Sequence, residues 1–157
     1  MEIRDATTDD LPAIVAMYAD DPLGAQRELA DLPLDDRYRR AFGAIAGDSR
    51  HRLVVAVDSG EIVGTLQLSF LPTLSHVGAE RAQIESVRVS SARRGGGLGR
   101  PLLDWAVDEA RRRGCGQVQL MTDATRSDAR RFYESLGFRA SHLGMKLQLD
   151  DAGPTLG

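Results

Sequence analysis

The segment with the most chemical content is Val87-Arg88-Val89-Ser90-Ser91-Ala92-Arg93-Arg94-Gly95-Gly96-Gly97-Leu98-Gly99-Arg100-Pro101-Leu102-Leu103. Four glycines fall within five positions, where an apolar strand ends and a helical pattern begins. Glycine permits positive φ and close backbone approach, and the free N–H groups of a first helical turn face an anion with the positive end of the helix dipole behind them. Arg93, Arg94 and Arg100 add attraction for phosphate. A Walker A loop is excluded because no lysine follows the glycines. A Rossmann fingerprint fails as well, since its third glycine would fall on Leu102 or Arg100. Upstream, Glu85 places a carboxylate in the middle of an apolar strand, which is expensive to bury without a partner. Strict alternation puts Glu85 on one face with Gln83, Val87 and Val89. Gln83 is a candidate hydrogen-bonding group for a substrate, and His76, in the loop before this strand, is a weaker one that reads more readily as a surface histidine. His51, His76, His142 and the single cysteine, Cys115, show no ligand spacing, so no metal is expected.

Alternating strands and helices must position these groups. Glu2 to Ala6 reads as a short strand, and Thr8 as the cap of a helix from about Asp9 to Ala19 whose core face is Leu11, Ile14, Val15 and Tyr18. Asp21-Pro22-Leu23-Gly24 breaks that helix, and a second runs from about Asp35 to Ala46. Arg52–Val57 and Ile62–Leu71 read as a hairpin around Asp58-Ser59-Gly60-Glu61. Ala82–Val89 is the strand that leads into the glycine loop, and a helix follows from about Gly99 to Arg113, stopped by Gly114. Gln117–Met121 is a strand, Asp128–Leu136 a short helix stopped by Gly137, and Ser141–Leu149 a last strand. The order β-α-α-β-β-β-α-β-α-β describes an α/β domain with a mixed sheet over residues 1–149, and a tail over 150–157 expected to fray.

A chain of 157 residues fits one domain with one core. One cysteine permits no internal disulfide, the N-terminal MEIRDATTDDL lacks an apolar signal-peptide region, and no apolar run approaches the roughly 18 residues of a membrane span. A cytoplasmic location with no membrane partner is therefore expected. The net charge of −3 gives no indication of nucleic-acid binding. Its distribution is uneven: residues 1–50 carry 11 acidic and 6 basic side chains, whereas residues 81–113 carry 8 arginines and 4 acids.

Arg94, Gly97 and Gly99 satisfy (Q/R)-x-x-G-x-(G/A) without a gap, which resembles motif A of the GNAT acetyltransferase family. Downstream, Ala129, Phe132, Tyr133, Glu134, Gly137 and Phe138 look like that family's motif B, A-x-x-(F/L)-Y-E-x-x-G-F. The two lie in the family's order, one helix and one strand apart, and the resemblance spans Ile3 to about Leu149. It implies the GNAT fold, with a splayed central strand pair, and acetyl-CoA as co-substrate. The pyrophosphate would sit on Arg94, Gly95, Gly96, Gly97, Leu98, Gly99 and Arg100, and the pantetheine arm would pair with the main chain of Val87, Arg88 and Val89. One departure stands out. Where many members place an asparagine three residues before the motif B alanine, this chain has Arg126, a cation suited to facing phosphate.

Acetyl transfer to an amine needs a neutral nucleophile, and an alkyl ammonium with a pKa near 10.4 is neutral in only about one part in 2,500 at pH 7. The resemblance implies Glu85 as the base, commonly through water, with a salt bridge to Arg81 or Arg88 or an acceptor-binding role as the other readings. It implies Tyr133 as the acid to the departing sulfur, with simple aromatic packing as the other reading. The acceptor would be a small-molecule or protein amine, selected by about Asp20–Tyr38 and Pro72–Glu80; the acidity of the first stretch points to a cationic one. A hydroxyl acceptor or longer acyl chain is compatible with the same motifs. So is a non-catalytic acyl-CoA-binding sensor or partner module on the same fold. A homodimer is the default association.

Overall fold

In the computed structural model, which describes residues 1–149, five strands hydrogen-bond in sequence order: β1 (Glu2–Asp5), β2 (His51–Asp58), β3 (Glu61–Leu71), β4 (Arg81–Val89) and β5 (Gln117–Leu120). The β2–β3 hairpin turns through Ser59 and Gly60, both at positive φ, the geometry that matches the twist of the flanking strands. β1 to β4 are antiparallel, and β4 and β5 run parallel.

Helices cover both faces. On one, α1 (Leu11–Ala19), a single turn α2 (Pro22–Ala25) and α3 (Asp36–Ala46) follow β1. Leu11, Ile14, Val15 and Leu34 pack there against Leu53 and Val55. On the other, Leu102, Leu103, Ala106 and Ala110 of α4 (Gly99–Arg113) pack against Val54, Leu66, Leu68 and Ile84. The last helix, α5 (Ser127–Ser135), adds Phe132 and Tyr133 to the rim of that core. The chain enters α1 through a tight turn at Thr8–Asp10 rather than a helix capped by Thr8. Asp10 is buried there, receiving Arg4 Nη1 and Nη2 at 2.7 and 3.0 Å and the Thr7 N–H at 2.7 Å.

Two differences from the sequence reading matter for the site. First, strict alternation fails in β4. Thr65 faces Arg88 and Gln67 faces Glu85, so Leu66 opposes both Ser86 and Val87. This is a β-bulge, and Ser86 carries it at φ 54°. The extra residue turns Val87 and Val89 to the α4 side, so Glu85 shares its face with Gln83 and Arg88 instead. Second, Ser141–Leu149 is not a strand. The segment has no regular secondary structure, and Leu143, Met145, Leu147 and Leu149 are 93, 93, 83 and 90% exposed. Its apolar alternation is real, but none of the described strands pairs with it. The tail expected at 150–157 lies outside the described residues.

Candidate active site

β4 and β5 pair at four positions, from Arg81 with Gln117 to Ile84 with Leu120, and then separate. β5 ends at Leu120, while β4 continues through Val89 with its β5 side unpaired. An extended chain could add to that open edge as a strand does. The sequence-predicted groups gather around this opening.

At its upper end lies the glycine loop. Gly95 and Gly97 hold φ of 80° and 77°, which a side chain would strain. The N–H groups of Gly95, Gly97 and Leu98 find no acceptor among the described residues, so the entry to α4 offers several unpaired donors. A Cβ at Gly99 would lie 3.2 Å from Phe132 Cζ, so this glycine lets α5 pack against the start of α4. The arginines are exposed and hold weak carboxylate partners: Arg93 with Asp58 at 3.1 Å, Arg94 with Asp20 at 3.0 Å and Arg100 with Asp104 at 3.7 Å. Exposed pairs of this kind contribute about 0–1 kcal/mol, so a phosphate can displace them. Orphaned donors, positive φ and displaceable cations together fit the pyrophosphate of CoA.

Further down, Gln119 donates to Gln83 at 2.7 Å and Gln83 donates to Glu85 at 2.9 Å. This polar ladder crosses the seam where the strands part and fixes one carboxylate oxygen of Glu85. Glu85 makes no salt bridge to Arg81 or Arg88. From the α5 side, Tyr133 packs its ring 5.4 Å from Phe132 and 6.1 Å from Phe138. Its hydroxyl finds no protein partner among the described residues. Burial raises the phenol pKa, partly opposed by Arg88 and Arg126. The proton is therefore held firmly at neutral pH.

The structure does not bring every candidate together. His76 sits exposed in a left-handed turn ahead of β4, at the end remote from the glycine loop. Nine residues of strand, about 26 Å at the usual rise, separate the two ends. Cys115 is half-buried beside Glu80, and burial pushes its thiol up, so it is a poor nucleophile. Among the described residues no group of His, Cys, Asp or Glu could hold a metal, and no helix is long and apolar enough to cross a membrane.

The acidic stretch after α1 does not behave as expected. Asp20 receives Arg94, and Asp21 receives Arg126 at 2.9 Å and the Gly24 N–H at 2.7 Å. Glu28 receives Arg27 and the Tyr38 hydroxyl, and Asp35 receives Arg37. These four carboxylates are engaged within the chain, while Asp31 and Asp36 are exposed with no side-chain partner among the described residues, so less acidity is left open to a cationic acceptor than the sequence suggests. Arg126 turns toward Asp21 rather than to an open phosphate position. The sequence reading gave the side chain of Arg88 only a salt bridge to Glu85 as an alternative, and it missed Asp21, which Arg88 faces instead, and Arg27 nearby. A mid-strand arginine was a visible signal, but its partners lie far away in sequence.

The acetyltransferase (GNAT) family model matches residues 11–138. The chain belongs to the GNAT family. It is 33% identical over 142 residues to the aminoalkylphosphonate N-acetyltransferase of Salmonella typhimurium, covering 90% of this chain and 86% of that protein. It is 37% identical over 91 residues to the glucosamine 6-phosphate N-acetyltransferase of Trypanosoma brucei brucei, covering 58% of this chain and 60% of that one. Among solved structures, a Bacillus halodurans protein described as a transcriptional regulator is 50% identical with a TM-score of 0.92, covering 94% of this chain and 99% of that chain. For this GNAT member, the parting strands, the glycine loop and the motif B helix stand in the arrangement that the motifs imply.

Proposed function

We propose that this chain transfers the acetyl group of acetyl-CoA to a primary amine by direct attack on the thioester. The observation that carries this reading is the convergence of an unpaired β4 edge, a glycine loop with orphaned N–H donors and an unpartnered Tyr133 hydroxyl where β4 and β5 part. Acetyl-CoA supplies the electrophilic thioester carbonyl. The loop from Arg94 to Arg100 binds the pyrophosphate, and the main chain of Val87, Arg88 and Val89 holds the pantetheine arm. Glu85, oriented by Gln83, accepts the proton that the ammonium must lose, directly or through water. Tyr133 holds a proton toward the departing sulfur, whose thiol pKa is near 8.5. The relatives named above act on small-molecule amines, which favours a small acceptor over a protein lysine.

Association as a homodimer belongs to the same reading. It is supported by the alternating exposed Leu143, Met145, Leu147 and Leu149 and by the outer edge of β5, which pairs with no strand among the described residues. A second copy offers an identical edge and an identical segment, so an exchange would satisfy both. Sedimentation of wild type against Leu147→Glu tests this; a monomer in both would refute it.

The alternative, a non-catalytic acyl-CoA-binding module, is favoured by one observation, the description of the 50% identical Bacillus halodurans protein as a transcriptional regulator. Thiol release from acetyl-CoA across a panel of amines separates the two. Turnover with any amine supports the transferase, and tight acetyl-CoA binding without turnover supports the module.

A further inference from the structure

Arg88 leaves the open part of β4 on the side facing α1 and α2, and its side chain is 16% exposed. One of its terminal nitrogens donates to the Val87 carbonyl at 2.9 Å, but its Nε is buried with no hydrogen-bond partner. A buried guanidinium donor left unpaired in a cleft is costly unless something else fills the place. Its surroundings are unusual. A single oxygen of Asp21 lies 2.9 Å from Arg126 and 3.6 Å from Arg88 Nε, so the two cations flank one point. Arg27, paired with Glu28, stands close enough to oppose the charge on Arg88. Three guanidiniums thus share two carboxylates, and Glu28 divides its acceptor capacity with the Tyr38 hydroxyl. Arg88 and Arg126 also act on the Tyr133 phenol, the acid of the proposed reaction.

We propose that Arg27, Arg88 and Arg126 form an acceptor subsite for a phosphonate or phosphate group, so that the amine acetylated here belongs to a small molecule carrying such an oxyanion. This rests on the transferase reading above. A tetrahedral group with three oxygens offers acceptors in three directions to three separate guanidiniums, where a carboxylate offers two oxygens in one plane, and its negative charge offsets the cluster's surplus of one positive charge. Asp20, next to Asp21, receives Arg94 of the glycine loop, so the subsite adjoins the pyrophosphate loop while using different donors, Arg27, Arg88 and Arg126 rather than Arg94 to Arg100.

The test compares 2-aminoethylphosphonate, β-alanine and n-propylamine as acceptors by thiol release. The expected order of kcat/KM is phosphonate first, carboxylate second and neutral amine last, with at least about a tenfold step from the phosphonate to n-propylamine. Arg27→Gln, at the half-buried rim, and Arg88→Met should each reduce the phosphonate-to-propylamine ratio by about tenfold, and Arg27→Gln should keep the acetyl-CoA dissociation constant from calorimetry within about twofold. Arg27→Gln guards against loss of folding in Arg88→Met, and the melting temperature reports it. Unchanged ratios in Arg27→Gln and in folded Arg88→Met, or equal use of β-alanine, would overturn the assignment. Weakened acetyl-CoA binding with an unchanged ratio would assign the cluster to the cofactor, which also overturns it. If wild type transfers to no amine, the transferase reading fails separately. Calorimetric titration of 2-aminoethylphosphonate into CoA-saturated protein then decides the subsite, with n-propylamine as the control: selective binding supports it and none refutes it.

Discussion

Replacing Tyr133 by phenylalanine isolates one hydroxyl. The ring stays between Phe132 and Phe138, and no protein hydrogen bond is lost, because the hydroxyl makes none among the described residues. The folded protein should therefore change in stability by less than about 1 kcal/mol. The kinetic effect follows from the proton affinities. The phenol pKa is raised above its ordinary 10 by burial, while the departing thiol lies near 8.5. Full proton transfer is thus uphill by more than about 1.5 units, or about 2 kcal/mol. Tyr133 then acts chiefly as a hydrogen-bond donor to developing negative charge on sulfur. That places its contribution at the low end of general acid catalysis, about 10²-fold in kcat, or about 2.7 kcal/mol. Because its folded pKa is raised, the phenol stays protonated across neutral pH, so the wild-type rate should show no descending limb below about pH 9 attributable to this group. The assay is thiol release with an accepted amine, alongside calorimetry of acetyl-CoA and thermal melting. A kcat within threefold of wild type, or a melting temperature that falls together with activity, would refute the assignment.

Gly97→Glu should abolish the rise in melting temperature that acetyl-CoA gives wild type, since it strains a φ of 77° and sets a carboxylate among the orphaned N–H donors; acetyl-CoA affinity like wild type's by calorimetry would remove the loop as the pyrophosphate site. Glu85→Gln keeps a hydrogen-bonding partner for Gln83, so acetyl-CoA affinity should hold while turnover falls most near neutral pH and recovers as pH approaches the amine pKa of about 10.4. A pH–rate profile equal to wild type's would exclude it as the base. Asp10, held down to about 2 first by its hydrogen bonds from Arg4, stabilises the fold at pH above its unfolded value, and that contribution is lost as pH falls from about 4 toward 2. Asp10→Asn should cost about 1–2 kcal/mol at pH 7 by chemical denaturation, reduced from the full shift because Arg4 is partly exposed, and the difference should vanish near pH 2.

Much of this architecture was legible because it rests on local rules. The glycines of 95–99, the helix from Gly99 and the hairpin around Gly60 announce themselves through backbone requirements and hydrophobic period. Tyr133 was legible through its neighbours in motif B. The bulge was not: Glu85-Ser86-Val87 contains no glycine, and only the pairing of β4 with β3 reveals the extra residue. Asp21 and Arg126 stand 105 positions apart, so their pairing carries no local sign. The acids of residues 20–35 were visible as a charge surplus, but which arginines they meet is a property of the folded chain. In Leu143, Met145, Leu147 and Leu149 the alternation of a strand is present, yet a strand exists only beside another one, and no strand among the described residues pairs with this segment.

The bulge at Ser86 gives β4 two phases. Before it, residues 83 and 85 look toward α1; after it, residue 88 does, while 87 and 89 look toward α4. Such a strand tolerates exchange of its letters far better than change of its length outside the bulge. Deleting Ser86 would only remove the bulge and leave Glu85, Val87 and Arg88 on their present sides, whereas deleting Ile84 would drive Gln83 or Glu85 into the packing around Leu68, although every remaining side chain would be unaltered. Substitution scanning and deletion scanning of β4 would thus draw different maps of the same nine residues. The first would trace chemistry around Glu85 and Arg88, and the second would trace the spacing that holds them on one side of the sheet.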